Sequence, residues 1–275
     1  MKPGTEAVDK QLDRSLKQLH LSMVKSCYRD EAALARRESL SYESYLNELI
    51  HRECEHRRHN RIARYLRESK LPAEKNLTSF DRSRLPAKVN AVVPVLLEGS
   101  FLARHENVLA FGNPGSGKTH LLCAIARELI EQGRRILFIP CSLLVQRLLV
   151  AKRDLELHKL INKLGCYDAI VIDDIGYIQH SRDEMEVLFT LLADRYERAS
   201  VMLTSNLPFS QWEKIFKDPM TTAAAIDRLV HHSIILELNV ESYRLTAARG
   251  KTSDQSDTPP EPGAGEEKAP DHKTP

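Results

Sequence analysis

Nine consecutive residues of the sequence can do chemistry on a phosphate chain: Gly112, Asn113, Pro114, Gly115, Ser116, Gly117, Lys118, Thr119 and His120. They contain the spacing G-x-x-x-x-G-K-[ST]. Glycines in such a loop let backbone N–H groups approach phosphate oxygens. Lys118 brings a point charge for the β and γ oxygens, and Thr119 a hydroxyl for Mg²⁺. The loop lies between an apolar run, NVLAF at 107–111, and a helical pattern, LLCAIARELI at 121–130, which is the strand-before, helix-after context this chemistry needs. ATP and Mg²⁺ are therefore the expected cofactors.

Three further stretches supply groups for the same chemistry. AIVIDD at 169–174 is an apolar run ending in two carboxylates. Asp173 is expected at the Mg²⁺ end of the sheet, and Asp174 where an acid can polarise an attacking water. VMLTSN at 201–206 turns polar at its end, so Asn206 is a candidate for holding that water or sensing the γ-phosphate. A turn asparagine is the plainer alternative. AAAIDRLVHH at 223–232 offers Arg228, either an arginine reaching a neighbouring subunit's γ-phosphate or the partner of Asp227 or Glu237. Chemistry alone leaves both open.

A different chemistry belongs to residues 51–70, which carry seven lysines or arginines against three acids, although the whole chain is only +2. On a helical wheel Arg57, Arg61 and Arg64 share a face with Arg58 beside them, while Ile62 and Leu66 lie roughly opposite. A cationic stripe of this kind suits contact with nucleic-acid phosphates without base reading. A solvated face neutralised by Glu53, Glu55 and Glu68 is the alternative. Lys152, Arg153, Lys159 and Lys163 form a second candidate contact.

The elements that must position these groups follow from periodicity. NVLAF, RILFIP (135–140), DAIVID (168–173) and SVMLTSN (200–206) read as strands buried on both faces, with amphipathic helices between them. The expected fold class is α/β: a parallel sheet sandwiched by helices, preceded by a small helical N-terminal domain. The expected organisation is a helical domain at 1–70, a connecting segment at 71–105, an ATPase core at 106–250 and a disordered tail at 251–275. In the first domain Leu12, Leu16, Leu19 and Met23 read as one helix face, and a second helix opens after Ser41 and stops at Leu71-Pro72. Phe209, Trp212 and Phe216 are expected in the core.

Several classes are disfavoured. NKLG at 162–165 lacks the acid that a guanine-binding N-K-x-D requires. His51, Cys54, His56 and His59 point in different directions on a helix, against a zinc site. Five scattered cysteines without a C-x-x-C pair fit reduced thiols. The start lacks the apolar core of a signal peptide and no run approaches a membrane span, so a cytoplasmic protein is expected.

The set GNPGSGKTHLL, AIVIDDIGYI, LFTLLADRYERASVMLTSNLPFSQWEKIF, AAAIDRLVHH and ESYRL, in that order, resembles the AAA+ ATPases of the initiator and helicase-loader branch. More specifically it resembles the IstB-type transposition helper proteins of bacterial insertion sequences, over roughly residues 10–248, the likeness extending upstream to the arginine-rich helix and the LPAEKNLTSFD at 71–81 that follows it. The family usually has glycine where Val240 precedes ESYRL, which bears on Arg244, and the acidic tail lies outside the resemblance. The resemblance implies that Lys118 and Thr119 bind nucleotide and Mg²⁺, that Asp173 and Asp174 are the metal-binding and catalytic acids, that Asn206 is the polar sensor, and that Arg228 is the intersubunit finger. It further implies a homo-oligomer with ATP sites between subunits, which assembles on target duplex DNA without strong sequence preference and delivers it to a partner transposase. A replicative helicase loader of the DnaC type is the alternative.

Overall fold

The computed structural model describes residues 5–175, 181–208, 211–212 and 219–240. Helices α1 (Thr5–Gln18), α2 (Ser22–Glu38) and α3 (Tyr42–Ser69) come first, followed by α4 (Ala87–Glu98) and a short α5 (Ser100–Ala103). Strands and helices then alternate: β1 (Asn107–Gly112), α6 (Lys118–Glu131), β2 (Ile136–Pro140), α7 (Cys141–Arg153), α8 (Leu157–Gly165), β3 (Ala169–Asp173), α9 (Arg182–Arg195), β4 (Ser200–Ser205), α10 (Pro219–Val230) and β5 (Ser233–Leu238). The sheet is parallel, in the order β2-β3-β4-β1-β5.

Strand alternation divides the core into two layers. Leu109, Ile170, Ile172 and Leu203 face α7, α8 and α9. Val108, Ala110, Val171 and Met202 face α4 and α6. Both layers are apolar, which is why strands β1 to β4 read as continuous hydrophobic runs. The fifth strand, β5, was not among the expected ones. It lies at the sheet edge, with Ile235 and Glu237 exposed and Leu236 and Leu238 buried, so it lacks the apolar continuity of its neighbours.

Residues 71–105 do more than connect. Val89, Val93 and Leu96 of α4 and Phe101 of α5 are buried in the same layer as α6. Pro94 sits inside α4 on its exposed side, where the carbonyl it leaves unbonded can face water.

The N-terminal helices have a small core of their own: Leu16, Val24, Tyr28 and Leu49. The expected single face through Leu12, Leu16, Leu19 and Met23 is corrected by a break. His20, with φ of 56°, ends α1, and Leu12 and Leu19 are exposed. The apolar spacing runs on through the turn, so periodicity cannot reveal the reversal. The second helix does open after Ser41, whose hydroxyl accepts the Ser44 amide, and ends at Ser69 with Lys70 in the left-handed region. Its far end leaves the small core and packs Tyr65 and Leu66 against the α4–α6 layer. Arg135 fastens this junction. Its Nη2 donates to Glu68 at 2.9 Å, and its guanidinium lies 4.7 Å from the Tyr167 ring and 5.9 Å from that of Tyr65.

Trp212 is fully buried as expected, donating to the Leu207 carbonyl at 3.1 Å. Phe209, Phe216, Arg244 and the 251–275 segment lie outside the described residues. All five cysteines are free, and burial pushes the thiols of Cys123 and Cys141 up to about 12. Among the described residues no helix is long and apolar enough to cross a membrane.

Candidate functional site

The phosphate loop joins the end of β1 to the start of α6, at the carboxyl edge of the sheet, where open α/β folds place ligands. Two glycines are dictated by space. A Cβ on Gly112 would come within 2.3 Å of the Leu238 carbonyl oxygen, so β5 presses on the loop's first residue. Gly117 has φ of 93° and faces the Phe80 ring, 3.2 Å from where its Cβ would stand. Lys118 is buried, and its ammonium donates to the carbonyls of Gly112 and Asn113, each at 2.8 Å. The loop is thereby folded around its own lysine, and Pro114 and Gly115 form part of the cleft wall. Ser116 is buried beneath it.

Three side chains from three elements meet at one oxygen. The Thr119 hydroxyl at the start of α6 donates to Asp173 Oδ1 at 2.7 Å, and the Thr204 hydroxyl from β4 donates to the same oxygen at 2.8 Å. Thr204 also accepts the Asp174 amide at 2.8 Å. Asp174 is held in the left-handed region at φ of 64°, a conformation that aspartate tolerates better than most residues. Its carboxyl lines the cleft. Burial in the cleft pushes it up from the ordinary aspartate range, Asp173 beside it adds to that, and Lys118 opposes both. A carboxylate raised in this way is a better proton acceptor.

Asn206 reaches the same cleft from the end of β4. Its Oδ1 is buried without a hydrogen-bond partner. Such an orphaned acceptor is costly in a finished interior and suits a ligand or water in the cleft. The cleft encloses about 450 Å³. A cluster of carboxylate and hydroxyl oxygens next to a lysine loop fits a hard divalent cation and a phosphate chain.

The cleft also contains residues to which the sequence reading gave no role at the site. Lys75, Ser79, Phe80 and Asp81, from the stretch after α3, form its remaining wall. His120 faces this stretch, with Nε2 lying 3.0 Å from the Asn76 carbonyl and 3.1 Å from Ser79 Oγ. Thr204 had a readable signal, because strand alternation puts it on the same side as Asn206.

The other candidates stand away from the cleft. Arg228, on α10, lies over the Phe189 ring at 4.6 Å, and its Nη1 is buried without a partner. Among the described residues it forms no ion pair with Asp227 or Glu237. Instead it lines a water-sized cavity with Asn107, Arg195 and Leu229. Arg195 is itself buried. Its guanidinium donates to the carbonyls of Leu164, Tyr167 and Ser200, and burial lowers it to about 10.

On α3, Arg57 has a structural task, donating to Glu53 at 2.8 Å and to the His20 carbonyl at 2.8 Å. Arg58 and Arg64 approach acids only at 3.9 and 4.0 Å. Arg61 is exposed and makes no ion pair among the described residues. Lys152 is taken by Glu186 at 2.9 Å and Arg153 by Asp154 at 3.0 Å. Among the described residues His51, Cys54, His56 and His59 form no metal-holding group; the one such group is Glu197, His231 and His232, all exposed.

Comparison with known proteins agrees with this architecture. The family model that matches, over residues 14–251, describes an IstB-like ATP binding protein. An insertion sequence ATP-binding protein of Sinorhizobium fredii is 44% identical over 234 residues, 85% of this chain and 78% of the relative. The ATP-binding protein of insertion sequence IS21 from Pseudomonas aeruginosa is 36% identical over 234 residues, 85% of this chain and 87% of its own. Among solved structures, AMPPCP-bound DnaA from Aquifex aeolicus superposes with a TM-score of 0.51 at 17% identity, covering 70% of this chain and 58% of DnaA. A DNA replication initiation factor gives 0.54 at 18%, covering 67% and 56%. The chain thus spans a little over half of these two structures, and at such identities the likeness speaks for the fold alone: a parallel sheet flanked by helices, with the phosphate loop at its carboxyl edge. From the matched model and the two insertion-sequence relatives together, the chain belongs to the family of IstB-like ATP-binding proteins.

Proposed function

We propose that this chain is an ATP-dependent, DNA-binding transposition helper of the cytoplasm. It assembles on target duplex DNA without strong sequence preference, hydrolyses ATP at subunit boundaries, and recruits or stimulates a partner transposase. The nucleotide half of this reading is carried by the convergence of Thr119 and Thr204 on Asp173 Oδ1 beside the Lys118 loop. The DNA half is supported by family membership and by the exposed Arg58, Arg61 and Arg64 on α3.

In this reading Lys118 exchanges its two loop carbonyls for the β and γ oxygens of ATP. Thr119 Oγ1 and Asp173 would hold Mg²⁺, which would supply charge neutralisation along the phosphates. Asn206 positions the attacking water through its unpartnered Oδ1, and Asp174 accepts that water's proton. Arg228 serves the cleft of the neighbouring subunit, where an arginine on the departing γ-phosphate is worth roughly 10³–10⁵ in rate. An isolated subunit would then hydrolyse slowly, and assembly would switch the site on.

The test is binding of the full chain to generic duplex and single-stranded DNA, with ATP, with ADP and without nucleotide, following assembly size by sedimentation. ATP-dependent assembly on duplex, lost in Lys118→Ala, is the expected result. Preference for single strands would favour a helicase loader instead, and indifference to nucleotide would overturn the proposed use of ATP.

A further inference from the structure

The stretch between α3 and the short turn at 82–84 is a strap laid across the first turns of α6. Arg127 of α6 donates to the carbonyls of Pro72 and Ala73, at 3.3 and 3.5 Å. Asn76 Oδ1 accepts the Thr78 hydroxyl at 2.6 Å and the Ser79 amide at 2.8 Å, which closes a local turn. The Ser79 hydroxyl lies 2.7 Å from the Glu74 carbonyl, bonding the turn back on itself.

His120 joins this turn to the phosphate loop. Its Nε2 faces the Asn76 carbonyl, and a carbonyl only accepts, so Nε2 carries the hydrogen. Phe80 completes the contact, with its ring 5.0 Å from the His120 ring and against Gly117. These bonds are all within the chain and seat the strap against α6.

Its seating has one electrostatic consequence. Lys75 is brought half-buried into the cleft wall, opposite Lys118, Asp173 and Asp174. Among the described residues its ammonium forms no ion pair, whereas the Lys118 ammonium is already engaged by the loop. Three carboxylates, those of Asp81, Asp173 and Asp174, line the same space. A polyphosphate entering it meets more negative than positive side chains, and a lysine on a flexible stem is suited to reach one of its oxygens.

We propose that Lys75 is a phosphate ligand of the nucleotide site, delivered by the strap, and that His120 is the positioning residue that holds it there. This rests on the cleft being the ATP site. His120 acts on the strap rather than on the nucleotide, so its removal acts through Lys75.

The experiment is calorimetric binding of ATP, ADP and adenosine to the full chain, with Mg²⁺, for the wild type, Lys75→Gln, Lys75→Arg, His120→Ala, His120→Gln and the Lys75→Gln/His120→Ala pair. Steady-state ATPase rates on DNA accompany it. Lys75→Gln is expected to weaken ATP and ADP about tenfold and leave adenosine unchanged, with Lys75→Arg recovering most of the loss. His120→Ala should reproduce that loss as a raised KM with kcat kept at saturating ATP. His120→Gln, whose amide can donate the same bond, should restore it. The pair should be no worse than Lys75→Gln alone, because both changes remove one interaction. Should His120→Ala fold poorly, Ser79→Ala tests the same clasp.

Unchanged ATP affinity in Lys75→Gln, an equal loss for adenosine, or additive losses in the pair would each overturn the proposal. A wild type that binds no nucleotide would overturn the ATP reading itself, which is a separate outcome.

Discussion

At the scale of single residues the candidate site is organised by a side chain that does no chemistry in the proposed mechanism. Thr204 donates to Asp173 and accepts the amide of Asp174, so one buried hydroxyl fixes both carboxylates and the left-handed turn between them. Sequence reading singled out the acids and Asn206 because carboxylates and a polar strand end are chemically conspicuous. Thr204 is a threonine in an apolar strand, where β-branched residues are ordinary. Substituting valine keeps its shape and removes the hydroxyl. The Asp174 amide then loses its partner at a part-buried bond, which costs about 1 kcal/mol. Thr204→Val is expected to lower the denaturation midpoint accordingly. It should also slow ATP turnover more than it weakens ATP binding, since it disturbs the acids and spares the loop. Denaturant titration and steady-state kinetics on the same preparation check both halves. Wild-type turnover with lowered stability would show that the hydroxyl serves only the fold.

Among the elements, the N-terminal helices show what a charge run can conceal. Glu53 was read as one of three acids diluting the basic stripe. It is instead buried, and its Oε2 accepts the amides of Met23 and Val24 at the start of α2, at 2.9 and 3.3 Å. It works as a cap supplied by another helix, satisfying N–H groups that α2 cannot satisfy itself. Burial alone would push the Glu53 carboxyl up; the Arg57 guanidinium and the two amides outweigh it, and the group lies below the ordinary glutamate range. A carboxyl depressed by folding adds stability above its unfolded value and loses that contribution as pH falls through the folded value. Acidification below about pH 4 should therefore loosen the α2–α3 contact. Glu53→Gln should bring that loosening to neutral pH, at a cost of about 1–3 kcal/mol. Hydrogen exchange at the Met23 and Val24 amides is the direct readout, and unchanged protection would rule the cap out. The same contact explains what was legible here. The helix after Ser41 was readable because a cap residue and a proline stop bracket it. The turn at His20 was not, because apolar spacing continues across it. Strands β1 to β4 were legible from their continuous apolar burial, and β5 was hidden by its exposed Ile235 and Glu237. The wall formed by the strap is tertiary: LPAEKNLTSFD at 71–81 belongs to the family resemblance, but nothing in its local pattern places it at the cleft.

The whole molecule has one long connection between its two ends. Helix α3, about 42 Å long at 1.5 Å per residue, begins in the small N-terminal core and ends against the α4–α6 layer of the sheet. The strap that walls the cleft follows it directly. The exposed arginines and the nucleotide cleft are therefore on one continuous piece of chain, pinned by Arg135 and Arg127. Arg228 points to the next level. It is absent from the lining of its own cleft, it has no acidic partner among the described residues, and it lies on the α10 side of the molecule. An arginine so placed can serve ATP only across a subunit boundary, which gives a prediction that no single-chain role shares. Asp174→Asn removes a subunit's proton acceptor, leaves its grip on nucleotide and so its assembly, and leaves its Arg228. Arg228→Ala does the reverse. Each variant alone should be nearly inactive on DNA. In an equal mixture, random assembly pairs an intact Asp174 with a neighbour's intact arginine at roughly a quarter of the boundaries. DNA-stimulated ATPase should then rise in the mixture far above the average of its two components. Activity that stays at that average would mean Arg228 is not donated between subunits. Activity of Arg228→Ala alone near the wild-type level would remove it from the chemistry altogether.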